Sequence, residues 1–573
     1  MTLILGLVKT LLLIVITFTL SNTTFANSEI KLNQIGFLPH ASKIAVVPNV
    51  ESGEFWLISA SDKSELLRGP LSVPQDWKVS GETVKVADFS SFDRPGRYYL
   101  RVDGVKDSHV FSIVDGVYDD ILNASIKSFY YNRSGAAIEE RFGGKHARPA
   151  GHPDSLVYVH PSAASKARPS DTTLSSEKGW YDAGDYNKYI VNSGISTYTL
   201  LKTYEDFEPY FKALSLDIPE SKNHIPDLID EILWNLEWMY SMQDPEDGGV
   251  YHKLTTQRFT STGMPHEQNQ ARYLVQKSTA AALNFAAVMS KASQLFAKNQ
   301  NWMPGYAEKF GDAALHAWKW AEKNPKISYI QPADVRTGTY ADPKDNLKDE
   351  WLWAATEMFK LTGKKSMLNG QAQIDALRIL EWGQVEHLAW FTLARDAGVP
   401  VTMKKHAKKQ LLALADKMVR DLWASGYFVP MIDTDFRWGS NAIALNKAII
   451  LLEANKIQEK TDYLSAARAL LDYVLGRNAT GYSFVTGFGS KRVMYPHHRI
   501  SHFDNIKEPV PGMLVGGPHA GQQDDCKYPS KLPARSFIDG WCSYSTNEVA
   551  INWNAALVYM LAALRTDLQT KPF

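Results

Sequence analysis

The sequence predicts a small β-sandwich followed by a large helical domain of paired helices, arranged as a closed α/α barrel or as an open solenoid. Three observations support this division. The chain has 573 residues, which is more than one hydrophobic core usually serves. Short runs of strand-forming residues fill positions 29–114, and apolar residues recur at helical spacing from position 115 onward. We therefore expect two domains of unequal size.

The predicted sandwich occupies residues 27–115 and contains the strand-forming runs KIAVV, EFWLIS, ETVKVADF, GRYYLRV and HVFSIV. Pro and Gly separate these runs. In RYYLRV, the side chains with odd and even numbers alternate as in a strand with one buried face: Tyr98, Leu100 and Val102 against Arg97, Tyr99 and Arg101. Several short strands in so short a segment fit two packed sheets.

The predicted helical domain fills residues 116–573. In DDILNASIKSFYYNRSG, Leu122, Ile126 and Phe129 fall on one helical face, and Pro226 stands where the helix of HIPDLIDEILWNLEWMYSMQ begins. The same spacing recurs in STAAALNFAAVMSKASQLFA, DEWLWAATEMFKLTG, KKQLLALADKMVRDLWAS, GSNAIALNKAIILLEA and DYLSAARALLDYVLG. No short sequence period accompanies it, which argues against a regular repeat array.

The N-terminal residues have the pattern of an export signal. Lys9 precedes an apolar run over residues 11–20, and a small-x-Ala cleavage pattern ends at Ala26. This run is short for a membrane span, and no later segment offers about 18 uninterrupted apolar residues. We therefore expect a signal peptide over residues 1–26, a mature chain that begins near Asn27 without a membrane anchor, and a periplasmic or secreted protein.

Charge and composition exclude some classes of partner. The 62 basic and 62 acidic residues cancel, so no overall field attracts nucleic acid or an anionic membrane. Aromatic residues make up 12% of the chain and include 16 Trp. Such rings fill the cores of large proteins and also stack on sugar faces. We expect a neutral or locally bound partner and a monomeric protein.

Cys526 and Cys542 are the two cysteines of the chain and lie in a loop-like stretch. An exported protein meets an oxidising compartment, in which disulfides form. We expect a disulfide between them, with two free buried thiols as the alternative.

The first candidate site is the segment GWYDAGDYNKYIVNSG, in which Ala183 and Gly184 separate Asp182 from Asp185. Gly184 permits a tight bend and leaves the space between the carboxylates free of side chains. Two carboxylates so placed can converge on one water or one cation, and hydrolysis needs a water that is held and deprotonated. An Asx-turn, a helix N-cap or part of a calcium loop would explain the same residues.

The second candidate is Glu548, which stands in FIDGWCSYSTNEVAINWNAALVYMLAALR at the entrance of an apolar helix. Ser545 and Glu548 match an S-x-x-E capping box, which would explain the glutamate without any chemistry. Beside Tyr544 and Trp553, the carboxyl group can also be desolvated, so that its pKa rises and it stays protonated as a general acid. The residues alone fit both interpretations.

The third candidate is the segment SFVTGFGSKRVMYPHHRISHFD, which contains His497, His498, Arg499 and His502. The adjacent histidines lack the i, i+4 spacing of a zinc helix, and the arginine beside them would oppose a cation. Neutral His and Arg offer directional hydrogen-bonding groups that suit hydroxyls. A basic surface loop is the alternative.

Together these segments resemble glycoside hydrolase family 9, the inverting cellulases. GWYDAGDYNKY resembles its water-binding loop, SFVTGFGSKRVMYPHHR its S-x-V-T, G, basic, P-H-x-R signature, and FIDGWCSYSTNEVAINWNA its aromatic-x-D, aromatic, N-E-V-A, N-A signature. IKLNQIGFLPHASKIAVV resembles the immunoglobulin-like module that precedes many of its catalytic domains. The resemblance spans nearly the whole mature chain and implies a mainly α fold, an (α/α)6 barrel after an immunoglobulin-like β-sandwich.

The resemblance implies three catalytic roles. Asp185 matches the base, Asp182 matches a residue that helps to hold the nucleophilic water, and Glu548 matches the proton donor for the leaving oxygen. An inverting enzyme needs its acid and base carboxyl groups about 6.5–9.5 Å apart, because a water must fit beside the sugar. Residues 185 and 548 can meet only through the fold.

The resemblance also implies how the substrate is held. His497 and Arg499 would contact the sugar next to the cleaved bond, and Trp553 would line the site. Asp539 would support the loop of the acid. No cofactor is required for this chemistry.

Metal sites of some relatives are incomplete in this chain. Ser134 and Gly151 stand where two zinc-binding cysteines would fall, although His146 and His152 persist, so we do not expect structural zinc. A structural calcium of relatives uses an acidic pair, here matched by Asp349 and Glu350, with an upstream oxygen such as that of Asp345. A distant aspartate ligand is missing, because Gly383 and Gln384 stand where it would fall.

The expected function is the inverting hydrolysis of β-1,4-glucosidic bonds in cellulose-type glucans or cello-oligosaccharides, as in an endoglucanase or a cellodextrinase. The alternative is an exo-β-glucosaminidase of chitosan oligosaccharides, in which Asp524 and Asp525 would face the substrate ammonium. A sugar-binding protein without turnover fits less well, because all three acidic groups are intact. A structural or adhesive protein would explain the sandwich alone.

Overall fold

The structure is a computed structural model that describes residues 29–341, 346–371, 374 and 378–566. The predicted signal peptide and Asp345, one of the expected calcium ligands, lie outside the described residues. A pair of β-sheets comes first, and after the strand Phe111–Ile113 the chain enters the helix Asp119–Tyr131 and a helical domain.

The N-terminal sandwich packs a five-stranded sheet on a three-stranded sheet. Its strands in chain order are Gly36–Phe37, Ile44–Pro48, Glu54–Ser59, Glu65–Pro70, Gln75–Trp77, Glu82–Asp88, Gly96–Arg101 and Phe111–Ile113. Phe55, Leu57 and Leu100 of the larger sheet share one buried core with Val47 and Ala87 of the smaller sheet. Each predicted run of strand-forming residues overlaps one of these strands.

Tyr99 departs from the predicted alternation, because it is buried like its neighbours Tyr98 and Leu100. The guanidinium of Arg101 lies 5.7 Å from the centroid of the Tyr99 ring and donates a 3.0 Å hydrogen bond to the Tyr99 hydroxyl. The ammonium of Lys63 lies 5.1 Å from the same centroid. Long basic side chains thus cover a ring that the strand turns away from the core.

The helical domain is an (α/α)6 barrel. Six of the described helices are buried on nearly every side and form the inner ring: Ile190–Asp206, Thr279–Lys298, Lys348–Thr362, Glu386–Leu393, Ser440–Ile457 and Ile551–Thr566. Such helices are apolar around most of their circumference, as expected for helices surrounded by others. Ile190–Asp206 packs against both Thr279–Lys298 and Ile551–Thr566, so the last helix closes on the first part of the ring.

The remaining elements lie outside this ring or in its loops. The longer outer helices are Asp119–Tyr131, Asp227–Ser241, Tyr306–Lys323, Val401–Trp423 and Thr461–Val474. Short helices are Glu140–Gly143, Glu208–Ala213, Arg499–Phe503 and Tyr544–Asn547. A small sheet contains Val157–Val159, Thr173–Leu174, Lys188–Tyr189, Lys253–Thr255 and Tyr273–Leu274. Among the described helices, none has both the length and the apolar character needed to cross a membrane.

The loops before the inner helices gather at one end of the barrel. The segments that precede the helices starting at Ile190, Lys348, Glu386, Ser440 and Ile551 all contribute to the wall of one cavity of about 820 Å³. Because these helices come from the whole length of the domain, their N-terminal ends bring distant parts of the sequence into one site.

Candidate active site

The cavity contains every residue to which the family resemblance assigned a direct role in catalysis or substrate binding. Its wall includes Asp182, Asp185, His497, Arg499, Glu548 and Trp553. The three candidate segments, which the sequence could only treat separately, therefore form one site.

The bend at Gly184 is bound by the other two segments. Arg499 donates hydrogen bonds to the carbonyl oxygen of Gly184 from its backbone N–H at 3.2 Å and from Nη1 at 2.7 Å. The backbone N–H of Ile551, at the start of the last inner helix, donates to the carbonyl oxygen of Asp182 at 2.9 Å. These bonds fix both aspartates relative to the rest of the cavity.

Gly184 packs directly against the segment that contains Glu548. A Cβ atom at Gly184 would lie 2.2 Å from the carbonyl oxygen of His497 and 3.2 Å from Oε1 of Glu548. His497 and Glu548 pair in a parallel β-bridge, and the N–H of His497 donates to the carbonyl oxygen of Asn547 at 2.8 Å. A residue without a side chain is therefore needed where the bend and the acid meet.

Asp185 accepts hydrogen bonds through one of its two carboxylate oxygens. Asn187 donates to Oδ2 from its backbone N–H at 3.3 Å and from Nδ2 at 2.5 Å, and the hydroxyl of Tyr189 donates to it at 3.2 Å. Within the described part of the chain, no residue donates to Oδ1. The backbone bond is the contact of an Asx-turn. The Asx-turn that was an alternative explanation of these aspartates is therefore present at Asp185, and the same residue also lines the cavity.

Asp182 is only 1% exposed, and both of its oxygens accept hydrogen bonds. Asn192 donates to Oδ1 at 2.8 Å, and the hydroxyl of Tyr340 donates to Oδ2 at 2.6 Å. Burial raises the pKa of Asp182 to about 8, and the negative charge of Asp185 adds to this rise. Two neighbouring carboxyl groups can therefore share the site at neutral pH without carrying two full negative charges.

Glu548 has the electrostatic setting of a proton donor. Burial raises the pKa of Glu548 well above its ordinary value, and the negative charge of Asp185 raises it further, whereas the guanidinium of Arg499 opposes the rise. A raised pKa favours the protonated form of the carboxyl group. It can therefore act as a general acid.

The capping-box interpretation of Glu548 is wrong. Glu548 follows the short helix Tyr544–Asn547, which is capped by the side chain of Ser543, and has extended backbone angles. The long helix Ile551–Thr566 starts three residues later. The glutamate therefore lies between two helices, where its side chain faces the cavity.

His497 and Arg499 have different functions in the wall. Nδ1 of His497 lies 2.7 Å from the carbonyl oxygen of Trp541, which identifies Nδ1 as a donor. Burial lowers the pKa of His497 to about 4, so the ring is neutral at pH 7. Arg499 donates from Nε to the carbonyl oxygen of Thr260 at 2.9 Å, in addition to its bonds to Gly184. Its guanidinium thus mainly holds loop backbone.

Asp539 and the disulfide support the segment before Glu548. Asp539 accepts the backbone N–H groups of Met494 and Tyr495, each at 2.8 Å, and so joins its own loop to the histidine segment. Cys526 and Cys542 are joined by a disulfide, which closes the loop that precedes Tyr544.

Asp524 stabilises the loop that leads into the short helix Tyr544–Asn547. Its carboxylate accepts hydrogen bonds from the hydroxyls of Tyr528 at 2.8 Å, Ser543 at 3.0 Å and Ser545 at 2.6 Å. The expectation that Asp524 would face a substrate ammonium is therefore not met, because hydroxyls of its own loop occupy the carboxylate.

The histidines of the zinc site in relatives have other partners in this chain. Nδ1 of His146 lies 3.1 Å from Oδ2 of Asp504, and Nδ1 of His152 lies 2.9 Å from the hydroxyl of Tyr181. Ser134 donates its hydroxyl to the carbonyl oxygen of His152 at 3.1 Å. These hydrogen bonds account for Nδ1 of each histidine, whereas Nε2 of His146 is buried without a hydrogen-bond partner among the described residues.

The expected calcium site contains a guanidinium. Asp349 and Glu350 are buried at the start of the helix Lys348–Thr362. Asp349 accepts the N–H of Val385 at 3.1 Å and lies 3.9 Å from Arg378, which also pairs with Glu386 at 3.3 Å. Over residues 29–341, 346–371 and 378–566, no group of three or more His, Cys, Asp or Glu side chains is arranged to hold a metal. A calcium site at Asp345, Asp349 and Glu350 is therefore not confirmed, and Asp345 lies outside the described residues.

The cavity also contains aromatic residues that the sequence did not reveal, chiefly Tyr340, Trp382 and Trp438. The ring of Tyr340, which holds Asp182, meets that of Trp382 edge-on at 5.2 Å. Trp438 lies 5.6 Å from Tyr544, and both rings are 39% exposed. Each of these three rings precedes an inner helix by two to eight residues, so a loop aromatic ahead of a strongly apolar helix is the signal that could have found it.

Comparisons with known proteins agree with this architecture. The model of glycosyl hydrolase family 9 matches residues 118–561, and that of the cellulase N-terminal ig-like domain matches residues 26–107. A xyloglucan-specific endo-β-1,4-glucanase from Bacteroides ovatus is 43% identical over 562 residues, which cover 95% of each chain. Endoglucanase D from Acetivibrio thermocellus is 35% identical over 545 residues, which cover 94% of this chain and 83% of the relative.

Solved structures agree as well. A family 9 glycoside hydrolase from Bacteroides ovatus superposes with a TM-score of 0.87 at 41% identity, and the alignment covers 94% of this chain and 99% of that one. The match extends over the sandwich, the barrel and the cavity that holds the carboxyl groups. The chain therefore belongs to glycosyl hydrolase family 9 and is a glycoside hydrolase.

Proposed function

We propose that the protein hydrolyses β-1,4-glucosidic bonds of cellulose-type glucans or cello-oligosaccharides with inversion at the anomeric carbon. The observation that carries this proposal is the contact at Gly184, which brings the bend of Asp185 against the segment of Glu548. Relatives named as endo-β-1,4-glucanases support the choice of bond.

Asp185 is the proposed base. Three hydrogen bonds hold its Oδ2, so Oδ1 is the oxygen available to take a proton from water. Asp182 lies beside it in the cavity wall, with its carboxyl group held by Asn192 and Tyr340. We assign Asp182 to the positioning of the same water. A water fixed in this way loses its proton to the base as its oxygen attacks the sugar.

Glu548 is the proposed acid. It gives its proton to the glycosidic oxygen while the water attacks C1 from the opposite face, and the C1–O bond to the leaving sugar breaks. The new hemiacetal has inverted configuration, Asp185 ends protonated, and Glu548 ends as a carboxylate. Exchange with solvent restores both groups.

The cavity wall suits an uncharged chain of sugars. Phe259, Trp382, Trp438, Tyr544 and Trp553 all line it, and flat aromatic rings stack on the apolar faces of pyranoses. The neutral His497 supplies hydrogen bonding to hydroxyl groups without a charge. The volume of about 820 Å³ has room for more than one sugar unit.

The test is hydrolysis of defined oligosaccharides with the products followed by proton NMR. We expect cellotetraose and cellopentaose to be cleaved and the new reducing end to appear first as the α-anomer. Initial formation of the β-anomer would overturn the inverting mechanism. Cleavage of a chitosan tetramer without cleavage of either cello-oligosaccharide would overturn the proposed substrate in favour of the glucosaminidase alternative. Xyloglucan belongs in the same series, because the B. ovatus relative is named for it.

We further propose that the protein is exported and acts as a monomer. The signal-like residues 1–26 and a disulfide, a bond typical of oxidising compartments, support export. The N-terminal sequence of the protein from periplasm and medium is expected to begin near Asn27, and intact residues 1–26 on cytoplasmic protein would contradict export.

Light scattering after gel filtration measures the mass of the protein in solution, and the mass of a dimer would contradict the proposed monomer.

A further inference from the structure

Three rings form a column beside the cavity. The centroids of His497 and Trp541 are 4.3 Å apart with their planes at 17°, and those of Trp541 and His502 are 4.0 Å apart with their planes at 7°. The indole is therefore enclosed between two imidazoles in nearly parallel stacking. Of the three rings, it is His497 that lines the catalytic cavity.

Trp541 restrains His497 in two independent ways. The stacked indole limits the tilt of the imidazole, because rotation about the Cβ–Cγ bond would break the ring contact. The carbonyl oxygen of Trp541 accepts the Nδ1–H at 2.7 Å. A half-turn flip of the imidazole would replace Nδ1 by a carbon and lose this bond. One residue therefore sets both the plane and the tautomer of the His497 ring.

The tautomer determines what the ring offers to the substrate. A carbonyl oxygen can only accept, so Nδ1 carries the proton in the neutral ring and Nε2 carries a lone pair. Cδ2, the atom next to Nε2, would lie 3.1 Å from a Cβ atom at Gly184, so this edge of the ring faces the catalytic bend. Within the described part of the chain, no protein group donates to Nε2. It is thus available as an acceptor for a sugar hydroxyl.

The outer ring of the column is anchored to the same structure. His502 belongs to the helix Arg499–Phe503, and Arg499 at the start of this helix is fixed by its bonds to Gly184 and Thr260. The ring of Phe503 meets Trp541 edge-on at 5.6 Å. The helix therefore presses the indole against His497 while Arg499 holds the bend.

We propose that Trp541, backed by His502, is a positioning residue that keeps the His497 ring fixed, with Nδ1 as donor to the protein and Nε2 as acceptor for a hydroxyl of the sugar next to the cleaved bond. The identity of the ligand rests on the proposed function. The orientation of the His497 ring does not depend on the proposed function.

The pKa of His497 provides a test of the positioning role of Trp541. Burial lowers the pKa of His497 most, and Arg499 and His502 lower it further, whereas the hydrogen bond to the carbonyl oxygen of Trp541 and the negative charge of Asp524 oppose this shift. Removing the indole leaves these charged groups in place and admits water to the ring face. The pKa of His497 then rises from about 4 toward its ordinary value.

The experiment compares Trp541→Ala, Trp541→Phe and His502→Ala with Trp423→Ala as the control. Trp423 is 57% exposed and packs on Phe428 outside the site. NMR of protein with ¹⁵N-labelled histidine reports the tautomer and the pKa of His497, and KM and kcat for cellopentaose are measured from pH 4 to pH 8.

Trp541→Ala keeps the backbone carbonyl at position 541 but removes the stacked indole, so the imidazole of His497 is free to rotate away from that carbonyl. We therefore expect a mixture of His497 tautomers, a higher pKa and a KM raised about fivefold or more, the loss typical of one hydrogen bond, with a smaller change in kcat. In Trp541→Phe the tautomer, the pKa of His497 and KM should be close to those of the parent. In His502→Ala the changes in these three quantities should be intermediate, and Trp423→Ala should match the parent. Unchanged tautomer, pKa and KM in Trp541→Ala would overturn the inference. A parent that does not cleave cellopentaose would refute the proposed function instead, while the NMR result would still decide the role of Trp541.

Discussion

Gly184 lies directly against Glu548 in the wall of the catalytic cavity. A Cβ atom built on the glycine would lie 3.2 Å from Oε1 of the glutamate. The same atom would lie 2.2 Å from the carbonyl oxygen of His497. The bend that carries Asp185 and the segment that carries the acid are therefore in contact through backbone. The distance between the base and the acid depends on this contact.

Gly184→Ala is expected to lower kcat by about a hundredfold or more, because the new methyl group must displace the backbone of His497 or the bend, and small displacements at reacting groups are costly. The strain should cost about 1–3 kcal/mol of unfolding free energy, as for other overpacked sites. Gly53→Ala is the control, since a Cβ there meets no atom within 4 Å. Equal activity of the two variants would contradict this account.

The sequence predicted an empty space between Asp182 and Asp185, and it explained this space by a guest held between two carboxylates. The structure shows that the glycine also admits the backbone of another motif. Local spacing cannot reveal such a contact, because residues from the far end of the chain make it. The sequence identifies Gly184 correctly, but it reveals only part of the reason why a glycine is needed there.

Glu548→Gln and Asp185→Asn are each expected to reduce turnover of cellopentaose by about 10²–10⁴-fold or more, because each removes one proton transfer. The two changes separate when the leaving group is an activated phenol, which needs little protonation. Glu548→Gln should then recover much of its rate with 4-nitrophenyl cellobioside, whereas Asp185→Asn should not. Equal recovery in both variants would contradict the assignment of acid and base. Circular dichroism checks that both variants remain folded.

The pH profile of kcat/KM on cellopentaose should extend to alkaline pH. The acid must be protonated to act, and burial raises the pKa of Glu548 well above its ordinary value. Activity should therefore be lost as the pH rises through the raised pKa of Glu548. With 4-nitrophenyl cellobioside the alkaline loss should be smaller. A profile that already falls between pH 5 and pH 6 would contradict the burial of the acid.

Asp182→Asn is expected to stabilise the fold at pH 7 and to have little effect on stability near pH 3.5. The pKa of Asp182 is about 8 in the folded chain and 3.8 in the reference state. Between these values the folded chain binds a proton that the unfolded chain has released, so the free energy of unfolding falls as the pH rises through this window. Asparagine removes this cost, which is on the order of a few kcal/mol. Thermal unfolding at both pH values measures the effect, and equal shifts would contradict it.

The elements that sequence reasoning predicted best are those with strong local patterns. The inner helices Ser440–Ile457 and Ile551–Thr566 are apolar on most sides, and the strand Glu54–Ser59 coincides with a predicted run. The capping box at Ser545 failed for a tertiary reason, because Asp524, from another part of the loop, takes the hydroxyl of Ser545. Tyr340 was missed because only the fold brings its hydroxyl to Asp182.

Asp524→Asn is expected to lower kcat/KM on cellopentaose by about 10–100-fold. An amide nitrogen in place of Oδ1 cannot accept the hydrogen bonds from the Cys526 N–H and the Tyr528 hydroxyl, and the uncharged amide oxygen in place of Oδ2 accepts those of Ser543 and Ser545 more weakly. Bonds to a charged acceptor contribute about 1.5–3 kcal/mol each, and these hold the turn that leads into the acid. The exposed neighbour gives the matched control, Asp525→Asn, which should retain parental activity. Equal activity of the two variants would show that the turn holds without these bonds. A loss in Asp524→Asn confined to chitosan tetramer would instead mean that this carboxylate binds a substrate ammonium.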